Sequence, residues 1–367
     1  MINPIHFLQQ LKANGISFFT GVPDSLMQSF LLQLEEEKDH MPASSEGAAV
    51  AMATGYHLAT GNTGLVYLQN SGLGNAINPI SSLAAKEVYG IPMLLMIGWR
   101  GQPGKKDEPQ HLLMGSITPG LLELIGIPYF IFSIKSSDNW KNNLKIAVDK
   151  TLASSQPVAI IIEDDFFEPS SPLIQNDYPL SSEQVLDHLY PLLDPNTVVI
   201  ATTGKLGRLF YALNSNHHNR VQKFFMNVGA MGHASAIAAS FSMYSKEKVV
   251  LLDGDGSLLM HMGSLAVTGS LLPANLHYIL FNNGAHQSVG GQKTAGFKVD
   301  FCKIAIGCGF ASSICIESAT QLQEWMPFIA GQFTEVRINT KMPAILPRPA
   351  ESFKEAKIQF QKESRHL

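Results

Sequence analysis

Charged residues are scarce in this chain. Only 15% of its 367 residues are Asp, Glu, Lys or Arg, and the formal net charge is −4. A small negative net charge offers no electrostatic basis for binding nucleic acid or an anionic membrane, so we expect neither partner. An anionic small molecule would need a local basic pocket. The hydrophobic fraction of 45% predicts a large buried core.

Cysteines and long apolar runs are also few. The three cysteines, Cys302, Cys308 and Cys315, lack the spacing of a zinc site and form no even disulfide framework. No apolar stretch reaches the roughly 20 residues that cross a bilayer. The chain opens on Asn3-Pro4, which is typical of a helix start rather than of a signal peptide. These absences predict a cytoplasmic protein without a membrane segment.

Short apolar runs separated by helical stretches indicate an α/β fold. The runs predict buried strands at residues 16–20, 64–69, 92–97, 157–163, 197–201, 249–252 and 277–281. We expect two open, mostly parallel-sheet domains, covering residues 1–165 and 181–367, without a middle domain. A Pro-, Ser- and Asn-rich stretch at 166–180 is the predicted linker. Ser181 with Gln184 then resembles a capping box that opens a new helix.

The most informative motif is Gly254-Asp255-Gly256, followed at a distance by Asn282-Asn283. Each part follows a predicted strand, and a right-handed crossover can place those strands side by side in one parallel sheet. Ligands bind at the carboxyl ends of such strands. The Asp255 carboxylate, the Asn283 amide oxygen and a backbone carbonyl at Ala285 are hard oxygen ligands suited to Mg²⁺. The alternative is a tight turn plus an Asn-Asn-Gly loop.

This pattern resembles the metal–diphosphate motif of thiamine-diphosphate enzymes. The resemblance implies two cofactors, thiamine diphosphate and Mg²⁺. It assigns diphosphate contacts to Thr203, Gly204, Gly254, Gly256, Ser257 and His286. It also implies that Met231 separates the two cofactor rings and that the Gly229 carbonyl accepts from the aminopyrimidine. Taken alone, Thr203-Gly204 is equally a turn after a strand, and Met231 is a plain core methionine.

Glu46 lies before a helix rich in Gly and Ala in the first half of the chain. An isolated glutamate in such a place is usually a helix-capping residue. The resemblance instead implies that Glu46 binds N1′ of the aminopyrimidine and activates the cofactor. In the family the cofactor spans a subunit interface, with this glutamate on one chain and the GDG motif on its partner. The resemblance therefore implies a homo-oligomer, at least a dimer, with the active site at the subunit interface.

Further blocks narrow the resemblance. They are TGVPDSL at 20–26, WRG at 99–101, DEPQH at 107–111 and the stretch 282–292. Together they are similar to the phosphonopyruvate decarboxylase family, whose near relatives are sulfopyruvate decarboxylases. The implied reaction converts phosphonopyruvate to phosphonoacetaldehyde and CO₂. Sulfopyruvate, another anionic 3-substituted pyruvate, or carboligation by the same cofactor are the alternatives.

Such a substrate carries about three negative charges, which call for fixed cations or clustered N–H donors. Arg100, just after a predicted strand, is the first candidate for the phosphonate. Asn70 and Ser71 resemble the family's polar loop near the thiazolium, although the loop could be a simple turn. Asp24 and His111 are candidate acid/base groups for the proton transfer that follows CO₂ loss. Asp24 could equally be an N-cap.

Two positions depart from the family pattern. Gln287 stands where an acidic residue is expected, and Lys293 stands where proline is common. One negative charge fewer and one positive charge more beside the cleft would favour a more anionic ligand or a shifted substrate preference.

Overall fold

The computed structural model describes residues 1–171, 176–343 and 345–364. The chain divides into two compact units. The first contains Met1–Leu173 with Ser288–Gln292, and the second contains Ile174–Gln287 with Lys293–Leu367. Residues 172–175 of the predicted linker lie outside the described residues.

Each unit holds one sheet of six strands. The strands of the first unit are β1 (Phe19–Gly21), β2 (His40–Pro42), β3 (Gly64–Gln69), β4 (Met93–Gly98), β5 (Tyr129–Phe132) and β6 (Pro157–Ile162). The strands of the second unit are β7 (Val198–Ala201), β8 (Lys223–Met226), β9 (Val249–Gly254), β10 (Leu276–Asn282), β11 (Ser312–Ile316) and β12 (Gln332–Arg337).

Helices connect the strands and cover the sheets. The α-helices of the first unit are α1 (Pro4–Ala13), α2 (Gln28–Gln33), α3 (Glu46–Thr60), α4 (Leu73–Pro79), α5 (Pro109–Leu124) and α6 (Trp140–Ser154). Those of the second unit are α7 (Ser182–Leu189), α8 (Lys205–Asn216), α9 (Ala234–Met243), α10 (Asp255–Met260), α11 (Gly263–Leu271), α12 (Phe301–Gly307), α13 (Ala319–Glu324) and α14 (Phe353–Ser364).

All strand pairs are parallel, and the two sheets share one topology. The strand order is β2-β1-β3-β4-β6-β5 in the first unit and β8-β7-β9-β10-β12-β11 in the second. The central strands are buried along their length, as the runs MLLMIG of β4 and PVAIII of β6 show. Continuous apolar runs are typical of parallel strands covered by helices on both faces. The predicted α/β class with two parallel-sheet units is confirmed.

All seven predicted strands are present, with ends shifted by a few residues at most. The sequence patterns missed β2, β5, β8, β11 and β12. Four of these, β2, β5, β8 and β11, are the edge strands and are short or only partly buried, so their apolar signal is weak. β12 is largely buried but carries Gln332, Thr334 and Glu335 among its buried residues, which hides its strand character.

The predicted helix starts are confirmed. Asn3 caps α1, with Pro4 in its first turn, and Ser181 forms a capping box with Gln184 at α7. Within the described part of the chain, no helix combines the length and the apolar character needed to cross a membrane.

Candidate active site

Glu46 opens α3 as a buried residue, with 5% of its surface exposed. Ser45 caps the helix by accepting a hydrogen bond from the Ala48 N–H, which fixes Glu46 in the first turn. Asn75 Nδ2 donates to Glu46 Oε2 at 2.8 Å, and a Cβ on Gly72 would overlap the carboxylate. Burial raises the pKa of Glu46, although the Asn75 hydrogen bond opposes this. Glu46 is therefore a shielded carboxyl group with a fixed orientation.

Asp24 follows β1 and is completely buried. Its Oδ1 accepts a hydrogen bond from the Leu26 N–H at 2.8 Å and caps the 3-10 turn Ser25–Met27. Its Oδ2 has no hydrogen-bond partner among the described residues. Burial raises the pKa of Asp24 to about 6. The N-cap interpretation is confirmed for one oxygen, while the second oxygen leaves the carboxyl group able to exchange a proton near neutral pH.

Asp107 organises the two candidate residues Arg100 and His111. Arg100 Nε and Nη2 donate to the two Asp107 oxygens at 2.8 and 2.5 Å. His111 Nδ1 lies 2.9 Å from Asp107 Oδ1, and the backbone N–H groups of Gly101 and Glu108 also donate to this carboxylate. Burial opposes ionisation of Asp107, but the hydrogen bonds from Arg100 and His111 hold its pKa well below the ordinary range. Asp107 is thus ionised and fixes both side chains.

The charge of Arg100 is therefore compensated locally. Its Nη1 donates to Ser25 Oγ at 2.7 Å, while the Asp107 carboxylate occupies the other side of the guanidinium. Each terminal nitrogen carries a second N–H. An anion bound at Arg100 would therefore accept hydrogen bonds from these two remaining N–H groups, and it would meet a guanidinium whose charge Asp107 already balances.

Asn70 is buried and makes its hydrogen bonds within the protein. Its Oδ1 accepts from the Arg100 N–H at 3.1 Å, and its Nδ2 donates to the Arg100 carbonyl at 2.8 Å and to Thr118 Oγ1 at 3.0 Å. Ser71 Oγ accepts from Gln69 Nε2 at 2.6 Å. The amide of Asn70 therefore holds the backbone of Arg100 at the end of β4. The sequence predicted a substrate contact for Asn70 and did not predict this positioning role.

In the second unit, Asp255 directly follows β9 and is 2% exposed. Its Oδ1 accepts from the Asn283 N–H at 3.4 Å, and its Oδ2 accepts from the Thr294 hydroxyl. No ion pair among the described residues includes Asp255. Burial raises the pKa of Asp255 to about 6. A buried carboxylate without a counter-charge is suited to a divalent cation.

Asn283 follows β10, the strand next to β9. Its Oδ1 accepts from the Ala285 N–H and its Nδ2 donates to Gln287 Oε1, both at 3.0 Å. Gln287 Nε2 donates to the Thr340 carbonyl, so the Gln287 oxygen faces Asn283. Gln287 thus accepts from Asn283 as an acidic residue would, and Lys293 pairs with Ala285 in an antiparallel bridge.

Asp255 and Asn283 are thus brought together at the carboxyl ends of neighbouring parallel strands. The described residues contain no group of three His, Cys, Asp or Glu side chains that could hold a metal. The candidate ligands are accordingly one carboxylate, one amide oxygen and a peptide carbonyl, and phosphate oxygens can complete such a set around Mg²⁺.

Thr203 and Gly204 form the turn between β7 and α8. Gly204 has φ 101°, a conformation that favours glycine, and it immediately precedes the first turn of the 12-residue α8. Thr203 Oγ1 accepts from the Gly229 N–H at 3.3 Å. The structure thus brings Thr203 and Gly229 together beside a helix N-terminus, where backbone N–H groups favour anions.

Ser257 is buried in the first turn of α10, two residues after Asp255. Its Oγ accepts from Thr202 Oγ1 at 2.8 Å and from the Gly232 N–H at 3.1 Å. The Ser257 hydroxyl therefore ties together the ends of β7 and β9, and its predicted phosphate contact would have to coexist with these bonds.

Gly256 lies against two other predicted residues. A Cβ at Gly256 would lie 3.0 Å from His286 Nδ1 and 3.4 Å from Met231 Cε. The structure therefore brings His286 and Met231 to the same turn that Gly254 begins. Desolvation lowers the pKa of His286 to about 4, so its imidazole is neutral at neutral pH.

The sequence patterns missed three residues with direct contacts to this set: Asn75 on Glu46, Asp107 on Arg100, and Thr294 on Asp255. The sequence could have indicated Asp107, because it lies seven residues after Arg100 and begins the DEPQH block. Asn75 and Thr294 are common polar residues far along the chain from their partners, and no local pattern identifies them.

Comparison with known proteins defines the class. The family model "Thiamine pyrophosphate enzyme, N-terminal TPP binding domain" matches residues 6–118, and "Thiamine pyrophosphate enzyme, C-terminal TPP binding domain" matches residues 203–330. The chain belongs to the thiamine pyrophosphate (thiamine diphosphate) enzymes, and the predicted family and its organic cofactor are confirmed.

The relatives are decarboxylases. The chain is 32% identical over 350 residues to phosphonopyruvate decarboxylase from Streptomyces hygroscopicus, covering 90% of this chain and 84% of the relative. It is 25% identical over 348 residues to sulfopyruvate decarboxylase from Methanosarcina acetivorans, covering 87% and 86%. It is also 38% identical over 157 residues to sulfopyruvate decarboxylase subunit alpha from Methanococcus maripaludis, covering 42% of this chain and 90% of that subunit.

The residues present fit these cofactors. The uncompensated Asp255 carboxylate, next to the Asn283 amide, suits Mg²⁺, the usual partner metal of this cofactor. The buried Glu46 carboxyl group suits a hydrogen bond to a heterocyclic nitrogen.

Proposed function

We propose that this protein decarboxylates phosphonopyruvate to phosphonoacetaldehyde and CO₂. The main observation is the 32% identity to a phosphonopyruvate decarboxylase across 90% of the chain, against 25% to a sulfopyruvate decarboxylase over a similar span. The Arg100–Asp107–His111 cluster at the end of β4 supports an anionic substrate, because it presents fixed N–H donors in a partly buried place.

Bound thiamine diphosphate supplies the carbon nucleophile and the electron sink for CO₂ loss. Glu46 would hold a proton at its buried carboxyl group and exchange it with the aminopyrimidine N1′. Asp255, Asn283 and Ala285 would hold Mg²⁺, with Thr203 and Gly204 near the diphosphate. Met231 and the Gly229 carbonyl would orient the two rings. His286, neutral and close to Gly256, would donate a hydrogen bond without adding charge.

Proton delivery to the product is assigned to Asp24 or His111. Burial raises the pKa of Asp24 to about 6, and one of its oxygens has no hydrogen-bond partner among the described residues, so it can exchange a proton near neutral pH. His111 is oriented by Asp107 through Nδ1, which leaves Nε2 for the substrate. Arg100 would bind the phosphonate through its two second N–H groups.

Sulfopyruvate is the second candidate substrate, because the 38% identity to a sulfopyruvate decarboxylase alpha subunit is high over the region it covers. Phosphonate and sulfonate differ in charge by about one unit near neutral pH. Discrimination between the two substrates therefore depends on how far Asp107 compensates the positive charge of Arg100.

We also propose a homo-oligomer, at least a dimer, in which one chain supplies Glu46 and its partner supplies Asp255. A cytoplasmic location is proposed because Cys302, Cys308 and Cys315 are free thiols, which suits a reducing compartment.

The deciding experiment measures CO₂ release from phosphonopyruvate, sulfopyruvate and pyruvate, each with and without added thiamine diphosphate and Mg²⁺. We expect the highest kcat/KM for phosphonopyruvate and full dependence on the cofactor. A higher kcat/KM for sulfopyruvate would replace the substrate assignment, and release that does not depend on the cofactor would refute the reaction.

A further inference from the structure

A buried polar side chain lies directly behind the proposed metal ligands. Asn282 is the last residue of β10 and has no exposed surface. Its Nδ2 donates to the Gly296 carbonyl at 2.9 Å and to Glu335 Oε1 at 2.7 Å, and its Oδ1 accepts from the Gly284 N–H at 3.1 Å. One amide therefore ties together both ends of residues 284–296, the loop that contains Ala285.

Gly296 connects this amide to Asp255. A Cβ at Gly296 would lie 2.5 Å from Asn282 Oδ1 and 2.5 Å from Asp255 Oδ2. Gly296 thus packs against both side chains with no room for a larger residue. A rotation of the Asn282 amide or a shift of Gly296 would change the surroundings of the Asp255 carboxylate.

Glu335 sets the orientation of the Asn282 amide. It lies on β12, next to β10, and is 1% exposed. An ionised carboxylate only accepts hydrogen bonds, so it requires the NH₂ side of the amide to face it. The amide oxygen must then face the Gly284 N–H. A neutral glutamine at 335 could present its own NH₂ group and would permit the opposite amide orientation.

Arg337 forms an ion pair with the buried Glu335. Its Nε donates to Glu335 Oε1 at 3.0 Å from two residues along β12, on the same face of the sheet. Its Nη1 donates at 2.7 Å to Glu317, which is about half exposed. A buried carboxylate is costly unless paired, and Arg337 supplies the pairing charge from the partly exposed end of this network.

We propose that Glu335, held by Arg337, is a positioning residue for metal binding. It fixes the Asn282 amide and, through it, the conformation of the loop that carries the proposed ligands Asn283 and Ala285. This inference rests on the proposed Mg²⁺ site. Residues that orient metal ligands through hydrogen bonds typically contribute about 10–100-fold to metal affinity.

The test is a calorimetric or fluorescence titration of Mg²⁺ into the protein at saturating thiamine diphosphate. Glu335→Gln should weaken the apparent Mg²⁺ affinity by roughly 10–100-fold. Glu317→Gln is the matched control, since it makes the same chemical change at the exposed end of Arg337, and it should leave the affinity within about twofold. Wild-type Mg²⁺ affinity in Glu335→Gln would overturn the inference, even if the melting temperature fell.

Two further variants separate the possible failures. Asp255→Ala removes the proposed ligand itself, so unchanged Mg²⁺ affinity in that variant would refute the metal site rather than the role of Glu335. If Glu335→Gln does not fold, Arg337→Gln acts on the same network from its partly exposed end. It should weaken Mg²⁺ binding in the same direction, and unchanged affinity there would overturn the inference.

Discussion

Asn75 Nδ2 donates a hydrogen bond to Glu46 Oε2 at 2.8 Å, which joins α4, the helix after β3, to α3, the helix after β2. Burial raises the pKa of Glu46, whereas this hydrogen bond favours the ionised form and lowers it. The two opposing effects set the protonation state of the residue assigned to cofactor activation.

Replacing Glu46 by glutamine should separate cofactor binding from catalysis. The amide keeps the size of the side chain but cannot exchange the proton, so CO₂ release should fall by roughly 10²–10⁴-fold. Affinity for Mg²⁺ and thiamine diphosphate, measured by titration, should change little because the proposed diphosphate site is in the other unit. Glu87→Gln, an exposed control, should match the wild type. Near-normal turnover in Glu46→Gln would remove its activating role.

Asn75→Ala should raise the pKa of Glu46 further, because it removes the donor that favours the carboxylate. The acidic limb of the kcat/KM profile should move to higher pH, and the rate at its optimum should fall about tenfold, the value of one hydrogen bond to a charged group. Asn78→Ala, on the same helix and exposed, is the control. A uniform loss of rate without a shifted pH profile would indicate a purely structural role for Asn75.

Arg100→Ala should raise KM for phosphonopyruvate far more than KM for pyruvate, because only the former carries the phosphonate. Asp107→Asn should act in the same direction but less strongly, since it loosens Arg100 without removing it. Steady-state kinetics with both substrates measures the difference. Equal changes in KM for the two substrates would exclude Arg100 from phosphonate recognition.

Asp24→Asn should make the protein more stable at pH 8 than the wild type. The pKa of Asp24 is about 6 in the folded protein against 3.8 unfolded, so the folded state binds the extra proton. That contribution is complete below pH 3.8 and is lost as the pH rises through 6. The asparagine stays neutral throughout, so its advantage should reach about 1–3 kcal/mol at pH 8 and vanish near pH 4.

Urea denaturation at several pH values tests this prediction. Asp149→Asn, at an exposed position, should change the unfolding free energy by less than about 0.5 kcal/mol at every pH. A pH-independent difference between Asp24→Asn and the wild type would show that Asp24 does not titrate in this range.

Mixing two inactive variants tests the shared active site. Glu46→Gln and Asp255→Asn should each be inactive alone. If each site combines Glu46 of one chain with Asp255 of another, a mixed dimer has one intact site, and an equal mixture should regain roughly a quarter of wild-type activity after subunit exchange. If activity does not return although mass spectrometry shows mixed dimers, both residues of a site come from one chain.

The sequence was most informative where one short motif contains the functional groups. Asp255 and Asn283 each follow a strong apolar strand, so their meeting at adjacent strand ends was predictable. Arg100 was identified by position, but its pairing with Asp107 was not. The sequence did not identify Glu335, because β12 was not predicted and nothing local indicates that a glutamate there is buried. Long-range polar contacts depend on strand order, which local patterns do not determine.

The two sheets repeat one strand order although no sequence repeat is evident. Asp24, Glu46, Asn70 and Arg100 follow the first four strands of one sheet, while Thr203, Met231, Asp255 and Asn283 follow the first four strands of the other. Equivalent positions thus hold the proposed proton-transfer and anion-binding groups in one sheet and the proposed metal and phosphate ligands in the other. Residues of the two units can therefore be compared by the strand end that each one follows, where an alignment of the two sequences offers no correspondence.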